Sequence, residues 1–290
     1  MKTVLVVGAT GALGRVVVNR LVKEKRRHIV STSRNVQNEN YVELDVRNPD
    51  QIYNVLKDTK PDLLINLAAT FTNEFENAYA VNVNAARYLL DSVLELNLQT
   101  RILLVGSAAE YGIVRPEENP IQEDHPLNPV SIYGLTKAWQ TQLASLYASR
   151  GANVVVARIF NLDGLGLSEQ LFIGRLQKQI DEILAGRKGL IELGPLTAVR
   201  DYISLPDATD QLLCIAEYGL SGGVYHVASG NCITMREILK CYLEAYALDV
   251  SIVREELKFT NHVGYDVPVI YADIQKTRNL MRCGLISDKS

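Results

Sequence analysis

Tyr133 and Lys137 stand four residues apart, so on a helix their side chains share one face. An ammonium beside a phenol favours the phenolate. A group that ordinarily titrates at about pH 10 is thereby brought towards neutrality, where it can hand a proton to a carbonyl under reduction. Ser107 ends the apolar run Ile102-Leu103-Leu104-Val105-Gly106, and its hydroxyl can hydrogen-bond the same carbonyl oxygen. The Tyr-Lys spacing alone carries little, because such pairs usually decorate a solvated helix face. Reduction also needs a hydride source, and the first turn offers a place for one. Val4-Leu5-Val6-Val7 runs into Gly8, Gly11 and Gly14, spaced three apart, and the chain then resumes a helical pattern through Val17, Val18, Leu21 and Val22. Glycine permits the tight turn and lets backbone approach a diphosphate, while the helix behind it offers unpaired N–H groups and positive partial charge. With no ligand, the same turn is simply a strand-to-helix connection.

The elements that must hold these residues alternate. Ile29 to Ser33 reads as a second strand and Arg34 to Asn40 as the loop after it. A short helix, Gln51 to Lys57, follows, capped by Asn48 with Pro49 at its first position. Asp62 to Ala69, Arg101 to Gly106 and Asn153 to Arg158 read as strands; Glu74 to Leu96 and Ser131 to Arg150 read as helices. This rhythm predicts an α/β fold, a doubly wound parallel sheet of the Rossmann type, placing Ser107 at a strand's carboxyl end where ligands bind. Beyond Asn161 the rhythm changes: Glu169 to Ala185 is helical and ends at Gly186, Gly223 to Ala228 and Val250 to Arg254 are strand-like, Met235 to Tyr246 is helical behind Thr234, and a helix near Asp273 to Met281 closes the chain. Residues 1–165 are expected to form the dinucleotide-binding domain. Residues 166–290 are expected to form a smaller mixed α/β substrate lobe, some of whose segments return to the sheet. The helix from Ala78 onward is apolar on more than one face, so a homodimer through the helices around 74–96 and 131–150 is expected; a wide core stripe is the alternative.

The 290 residues, 47% hydrophobic with a net charge of -3, show no basic excess, which argues against nucleic acid as a partner. No apolar run is long enough to span a membrane and the chain enters a strand without a signal-like segment, so a cytoplasmic protein is expected. Cys214, Cys232, Cys241 and Cys283 form no CxxC pair and lie at no ligand spacing from histidine. Neither a metal site nor a disulfide framework is predicted, and free buried thiols are expected. His28, His125 and His226 have no acid or nucleophile partner within reach in sequence and are assigned to structure.

Glycine turn, strand-end serine, then tyrosine and lysine, in that order and at those distances, resemble an extended short-chain dehydrogenase/reductase of the sugar-nucleotide-modifying branch. The resemblance runs over nearly the whole chain. It implies that Gly8, Thr10, Gly11, Ala12, Leu13 and Gly14 cradle the cofactor diphosphate, that Leu67, Ala68 and Ala69 line it, and that Asp45 and Val46 lie beside the adenine. It further implies that Asn82, Tyr133, Lys137 and Phe160 complete the cofactor site. Ser107, Tyr133 and Lys137 would be catalytic, with Ser107, Ala108, Tyr133, Asn161 and Arg200 on the substrate. Arg158-Ile159-Phe160-Asn161 is similar to the branch's RxFN, whose asparagine reaches the substrate diphosphate. Arg200 in Val199-Arg200-Asp201-Tyr202-Ile203 resembles the arginine that pairs with the nucleotide moiety, and a guanidinium suits phosphate. A turn role for Asn161 and a surface ion pair for Arg200 are the structural alternatives.

Within the branch, Pro120 to Pro129, Gln177 to Gly186 and Gly194 to Asp207 look most like GDP-4-keto-6-deoxymannose reductases, with GDP-mannose 4,6-dehydratases next. The dehydratases remove a C5 proton with a glutamate two residues after the strand-end serine or threonine. Here that position is Ala109, and Glu110 is offset by one, so the elimination base is expected to be missing. An NAD enzyme usually carries an acidic residue at the end of the second strand, whereas this chain has Ser33-Arg34, which favours NADP(H) with NAD(H) possible. The reductases usually carry an Arg-Pro pair ahead of the final helix, but the corresponding stretch here is His262-Val263-Gly264-Tyr265-Asp266, which leaves the particular sugar nucleotide open. The expected activity is NADPH-dependent reduction of a nucleotide-linked 4-keto-6-deoxy sugar for surface polysaccharide synthesis. A 4-epimerase with tightly bound NAD and a non-catalytic NAD(P)-binding sensor or scaffold are the alternatives.

Overall fold

The computed structural model describes residues 2–25, 27–35, 40–259 and 267–287; the stretch His262 to Asp266 lies outside them. The chain begins with β1 (Lys2–Val7), α1 (Ala12–Lys23), β2 (Arg27–Ser33), β3 (Val42–Glu43), α2 (Pro49–Thr59) and β4 (Leu63–Asn66). Then come α3 (Phe75–Tyr79), a π-helical turn over Ala80–Asn84, α4 (Ala85–Glu95), β5 (Arg101–Ser107), α5 (Ile132–Ser149), β6 (Val154–Ile159) and β7 (Asn161–Asp163). The remainder comprises α6 (Phe172–Leu184), β8 (Ile191–Leu193), β9 (Val199–Arg200), β10 (Tyr202–Ser204), α7 (Leu205–Tyr218), β11 (Val224–Val227), β12 (Ile233–Thr234), α8 (Met235–Ala245), β13 (Val253–Glu255), β14 (Val269–Ile270) and α9 (Gln275–Ser287).

Among the described residues the main sheet is parallel and seven-stranded, in the order β11-β6-β5-β4-β1-β2-β3. Both faces of its central strands are covered, which is why β1, β4 and β6 read as nearly unbroken apolar runs. Alternation along β1 divides the core. Val4 and Val6 pack with Val17 and Leu21 of α1 and Leu212 and Ile215 of α7, whereas Leu5 and Val7 pack with Ile52 and Leu56 of α2 and Leu89 and Leu90 of α4. Each such side chain, fully buried, contributes about 1.5–3 kcal/mol. The order reverses between β1 and β4, and at such a switch point the carboxyl ends of the strands open into a crevice.

Local chemistry fixes the entry to α2. The Asn48 side chain accepts from the N–H groups of Asp50 at 3.0 Å and Gln51 at 3.2 Å, with Pro49 in the first turn. The single long helix expected from Glu74 to Leu96 is instead interrupted by the π-helical turn. A second core joins Leu176 and Ile180 of α6, Ile191 and Leu193 of β8, and Leu239 and Leu243 of α8 into the smaller lobe. Gly223 to Ala228 does not belong to that lobe: β11 is the edge strand of the main sheet and α7 packs beneath it. The cysteines correct the expectation of buried thiols, since Cys214 is half-buried and Cys232, Cys241 and Cys283 are exposed. Cys214 lies on α7, Cys241 on α8 and Cys283 on α9, and Cys232 in the turn before β12, none of them at a core position.

Candidate active site

The three glycines of the first turn stand in three different settings. Gly8 has φ +79°, and a Cβ there would lie 2.8 Å from the Ala68 nitrogen across the crevice. Gly14 packs α1 onto the turn, where a Cβ would come 2.3 Å from the Gly8 oxygen. Gly11 is different: its backbone is ordinary, at φ -66° and ψ 165°, and a Cβ would meet nothing nearer than the Gly8 oxygen at 3.5 Å. The protein itself therefore gives no steric reason for glycine at 11. Gly11 is also the N-cap of α1, and no side chain caps that terminus. A turn whose middle residue is bare on its outer side, leading into an uncapped helix, fits the diphosphate of a dinucleotide. Thr10 and Gly11 are exposed, Ala12 and Leu13 half-buried, and Arg15 Nη1 donates to the Thr10 carbonyl at 2.6 Å.

The other residues expected around a cofactor gather at the same strand ends. Leu67 and Ala68 continue from β4, with Leu67 N–H donating to Val7 O at 2.9 Å and Ala68 N–H to Asn66 Oδ1 at 3.2 Å; Ala69 is exposed. Ser33 is buried at the end of β2, its hydroxyl donating to Asn35 O at 3.0 Å, and Arg34 beside it is exposed. The Asp45 carboxylate accepts from Arg47 Nη2 at 2.6 Å, and this bond leads the causes that hold its pKa below the ordinary value; Val46 is half-buried next to it. Asn82 sits in the π-helical turn, fully buried. Its amide donates to Thr70 O at 3.1 Å and Thr136 Oγ1 at 3.0 Å and accepts from Thr70 N–H at 3.0 Å, clamping the loop after β4 against α5. Phe160 lies deeper, its ring 5.1 Å from His226 and 6.4 Å from Tyr111. Ala108 is half-buried against the same cluster.

Ser107 and Tyr133 come together and share a side-chain hydrogen bond, with the Phe71 ring 4.7 Å from the Tyr133 ring. The Ser131 side chain caps α5 by accepting from Gly134 N–H at 3.0 Å, and this fixes the helix start that presents Tyr133. Lys137, 1% exposed, donates to Val105 O at 2.7 Å and to Gln140 Oε1 at 3.1 Å. The electrostatics differ from the sequence expectation. Burial pushes the Tyr133 phenol up to about 12, against the opposing hydrogen bond from Ser107, and burial brings Lys137 down to about 8. Desolvation penalises both charged forms and is the leading cause at each residue.

Beneath Ser107 lies a buried polar network that spacing did not reveal. Glu110, 0% exposed, accepts from Ser107 N–H at 2.8 Å, Thr141 Oγ1 at 2.8 Å and Arg158 Nε at 3.0 Å, and forms an ion pair with Arg158 Nη2 at 2.8 Å. Arg158, 2% exposed, also donates from Nη1 to the Tyr111 hydroxyl at 2.6 Å and to Glu123 O at 3.2 Å. Tyr111 in turn hydrogen-bonds His226, whose Nδ1 lies 2.8 Å from Asp273 O; burial lowers His226 to about 4. The partners of Glu110 stand up to 48 residues away, so only the residue type, a glutamate in a strand-end turn, was visible in sequence.

On the lobe side, Asn161 and Arg200 are brought close by the pairing of β7 with β10. Asn161 N–H and Nδ2 both donate to Asp201 O at 3.0 Å, and Arg200 Nη1 donates to Val199 O at 2.9 Å. The Asp201 carboxylate is fully buried and accepts from Ser229 N–H, Ser229 Oγ, Gly230 N–H and Ala272 N–H. Arg175 of α6, not singled out by sequence, acts with Arg200 on the Tyr202 phenol, which burial pushes above its ordinary value. Among the described residues no cluster of three His, Cys, Asp or Glu side chains is arranged to hold a metal, and no helix is long and apolar enough to cross a membrane.

A family model described as "NAD dependent epimerase/dehydratase family" matches residues 4–228. GDP-6-deoxy-D-talose 4-dehydrogenase of Aggregatibacter actinomycetemcomitans is 29% identical over 96% of this chain and 90% of its own. GDP-6-deoxy-D-mannose reductase of Pseudomonas aeruginosa is 26% identical over 73% of this chain and 71% of its own. The solved structure of RMD from Pseudomonas aeruginosa complexed with NADPH superposes with a TM-score of 0.84 at 20% identity, covering 97% of this chain and 93% of that one, which establishes the shared fold.

Proposed function

The chain belongs to the NAD dependent epimerase/dehydratase family, and from that premise we propose that it is an NADPH-dependent reductase of a nucleotide-linked 4-keto-6-deoxy sugar of the GDP-hexose type. The observation that carries this reading is the placement of Glu110. Elimination at C5 needs a free carboxylate facing the sugar, and the only one near Ser107 in sequence is buried in an ion pair with Arg158, while Ala109 has none to offer. What is left at the strand end is the Ser107 and Tyr133 pair, suited to moving one proton at one oxygen. Both relatives support the sugar class, since one is named for oxidation at position 4 of GDP-6-deoxytalose and the other for GDP-6-deoxymannose reduction.

In this reading the residues that hold the cofactor are Gly8, Thr10, Gly11, Ala12, Leu13 and Gly14 at its diphosphate and Ser33 and Arg34 at a 2′-phosphate. Asp45 and Val46 lie at the adenine; Leu67 to Ala69, Asn82, Lys137 and Phe160 lie along the rest. The bound cofactor supplies a hydride to C4 of the sugar. Ser107 donates a hydrogen bond to the C4 oxygen, and Tyr133, protonated at neutral pH, delivers its phenolic proton to that oxygen. Lys137 stabilises the resulting phenolate and, held by Val105 O and Gln140 Oε1, retains one N–H for the ribose or the phenol. Asn161 and Arg200, with Arg175 beyond them, face the nucleotide diphosphate. Residues 1–165 then serve the cofactor, and most of 166–290 serve the sugar nucleotide. A homodimer through α3–α4 and α5 would cover apolar side chains that these helices leave exposed, Phe75, Leu94 and Leu146. We place the protein in the cytoplasm.

The test is to incubate the protein with NADPH and GDP-4-keto-6-deoxymannose, following absorbance at the nicotinamide band and the product by NMR. Stoichiometric NADPH oxidation with formation of a GDP-6-deoxyhexose is expected. Protein that arrives with NAD bound and converts a nucleotide sugar without added NADPH would establish the 4-epimerase alternative instead.

A further inference from the structure

We propose that Glu110 is a positioning residue for the reducing site: its carboxylate holds the Ser107 donor, the helix that carries Tyr133 and Lys137, and the strand that leads to Asn161 in one register. The proposal rests on the reductase reading for its kinetic arm only. Each of the three attachments is a hydrogen bond to the same carboxylate. Oε1 accepts from Ser107 N–H at 2.8 Å, and Oε2 accepts from Thr141 Oγ1 at 2.8 Å and from Arg158 Nε at 3.0 Å. Thr141 follows Lys137 by four residues and Tyr133 by eight, so all three lie on one face of α5. Arg158 precedes Asn161 by three and is anchored at the far side to Tyr111 and Glu123 O.

The short turn over Ala108–Glu110 adds a second effect. Ser107 is its N-cap, and the Ser107 Oγ accepts from Ala109 N–H at 3.2 Å while Glu110 accepts from Ser107 N–H in return. With one lone pair of Oγ so engaged, the hydroxyl hydrogen is directed away from the turn, to the side where Tyr133 lies. Room for the carboxylate is reserved in the strand itself, since a Cβ at Gly106 would come 2.5 Å from Glu110 Oε1. Glycine at that position is therefore part of the device. A carboxylate that only neutralised Arg158 would need neither the Ser107 amide nor the Thr141 hydroxyl.

The groups facing Glu110 are Arg158 from β6, Tyr111 from its own turn, and Tyr133 and Lys137 from α5, with His226 and Glu123 behind Tyr111. Its charge raises the proton affinity of both Tyr133 and Lys137. Removing the charge therefore lowers both, and it moves the alkaline loss of the protonated Tyr133 to lower pH. A support that merely stabilised the fold would leave that limb in place.

The experiment compares wild type with Glu110→Met/Arg158→Met, which leaves no buried unpaired charge, and with Glu110→Gln/Arg158→Met, which keeps an acceptor for Ser107 N–H. Thermal melting and tryptophan-fluorescence titration with NADP+ establish that each variant folds and binds. The Met/Met protein is expected to lose about 10²-fold in kcat towards GDP-4-keto-6-deoxymannose with KM within about threefold, the loss associated with misplacing a reacting group by about 1 Å. The Gln/Met protein is expected to recover about tenfold of that loss. In the NADP+ complexes of wild type and Glu110→Gln, which removes the carboxylate charge while Arg158 stays, [13Cζ]tyrosine NMR, assigned by Tyr133→Phe, is expected to show the Tyr133 titration at lower pH in the variant. A folded Met/Met protein with kcat within about threefold of wild type, or an unmoved Tyr133 titration, overturns the proposal. If the paired variants do not fold, Thr141→Val removes one donor to the carboxylate; about threefold or greater loss in kcat with unchanged KM supports the proposal, and unchanged kcat refutes it. If wild type does not turn over this sugar nucleotide, the reductase reading fails and the tyrosine titration alone decides the role of Glu110.

Discussion

Substituting alanine separately at Gly11 and at Gly14 distinguishes a ligand cradle from an ordinary turn. At Gly14 the new methyl would lie 2.3 Å from the Gly8 oxygen and 2.9 Å from Ala9 backbone carbons. Those are backbone atoms of the turn against which α1 packs, so relief requires moving the helix or the turn, at about 1–3 kcal/mol or more. With about 2–4 °C of melting temperature per kcal/mol in a chain of this size, Gly14→Ala is expected to melt several degrees below wild type. At Gly11 the methyl meets only the Gly8 oxygen at 3.5 Å, on a backbone at φ -66° that alanine adopts freely. A less favourable N-cap costs about 0.5–1 kcal/mol and the reduced freedom of the unfolded chain returns about 0.4–1 kcal/mol, so the melting point should move by no more than a degree or two. Binding should respond in the opposite order. A methyl that interrupts one charge-assisted hydrogen bond to the diphosphate removes about 1.5–3 kcal/mol, which weakens NADPH by about 10- to 150-fold. Differential scanning fluorimetry and a titration of NADPH fluorescence measure the two quantities on the same samples. Wild-type NADPH affinity in a normally folded Gly11→Ala protein would refute the cradle.

Four other outcomes follow from the geometry. Tyr133→Phe should keep NADPH binding and lose about 10²- to 10⁴-fold in kcat, read from absorbance under saturating substrate. Arg34→Glu should weaken NADPH by about tenfold or more while leaving NADH nearly unchanged; equal effects on both would remove Arg34 from the 2′-phosphate. Arg200→Gln should raise KM for the sugar nucleotide with little change in kcat, and a fall in kcat alone would contradict its placement on the diphosphate. His226 is held to about 4 in the fold against an ordinary 6.5, so the unfolded chain takes up the proton first as pH falls. Its stabilising contribution is complete above about pH 6.5, is lost progressively towards pH 4, and amounts to about 3 kcal/mol. Urea unfolding across that interval should show the slope in wild type and a flatter profile in His226→Gln.

The parts of this molecule that could be read from residue order are those whose physics is local. The strand cores of β1, β5 and β6, the Asn48-Pro49 start of α2 and the glycine turn after β1 all declare themselves within about ten residues. The π-helical turn at Ala80–Asn84 did not, because it is set by Asn82 bonding to Thr70 and to Thr136 on another helix. Likewise the Tyr133 and Lys137 spacing gave the pairing but not the environment, which depends on what covers both side chains after folding. Glu110 was read only as a base in the wrong place. Its occupation by Arg158 depends on the adjacency of β5 and β6, a fact of topology.

The chain crosses between the sheet and the smaller lobe more than once: α6 and β8 precede α7, which lies on the sheet, and α8 and β13 follow β11, which is its edge. A single cut near residue 165 would therefore strip the sheet of its last strand. Recombination between relatives cannot exchange the lobe as one cassette, and a graft that retains β11 and α7 needs two separate inserts. If the lobe sets sugar-nucleotide selectivity as proposed, changing it takes substitutions within segments 166–204 and 229–259, which the helix α7 and strand β11 between them tie to the sheet.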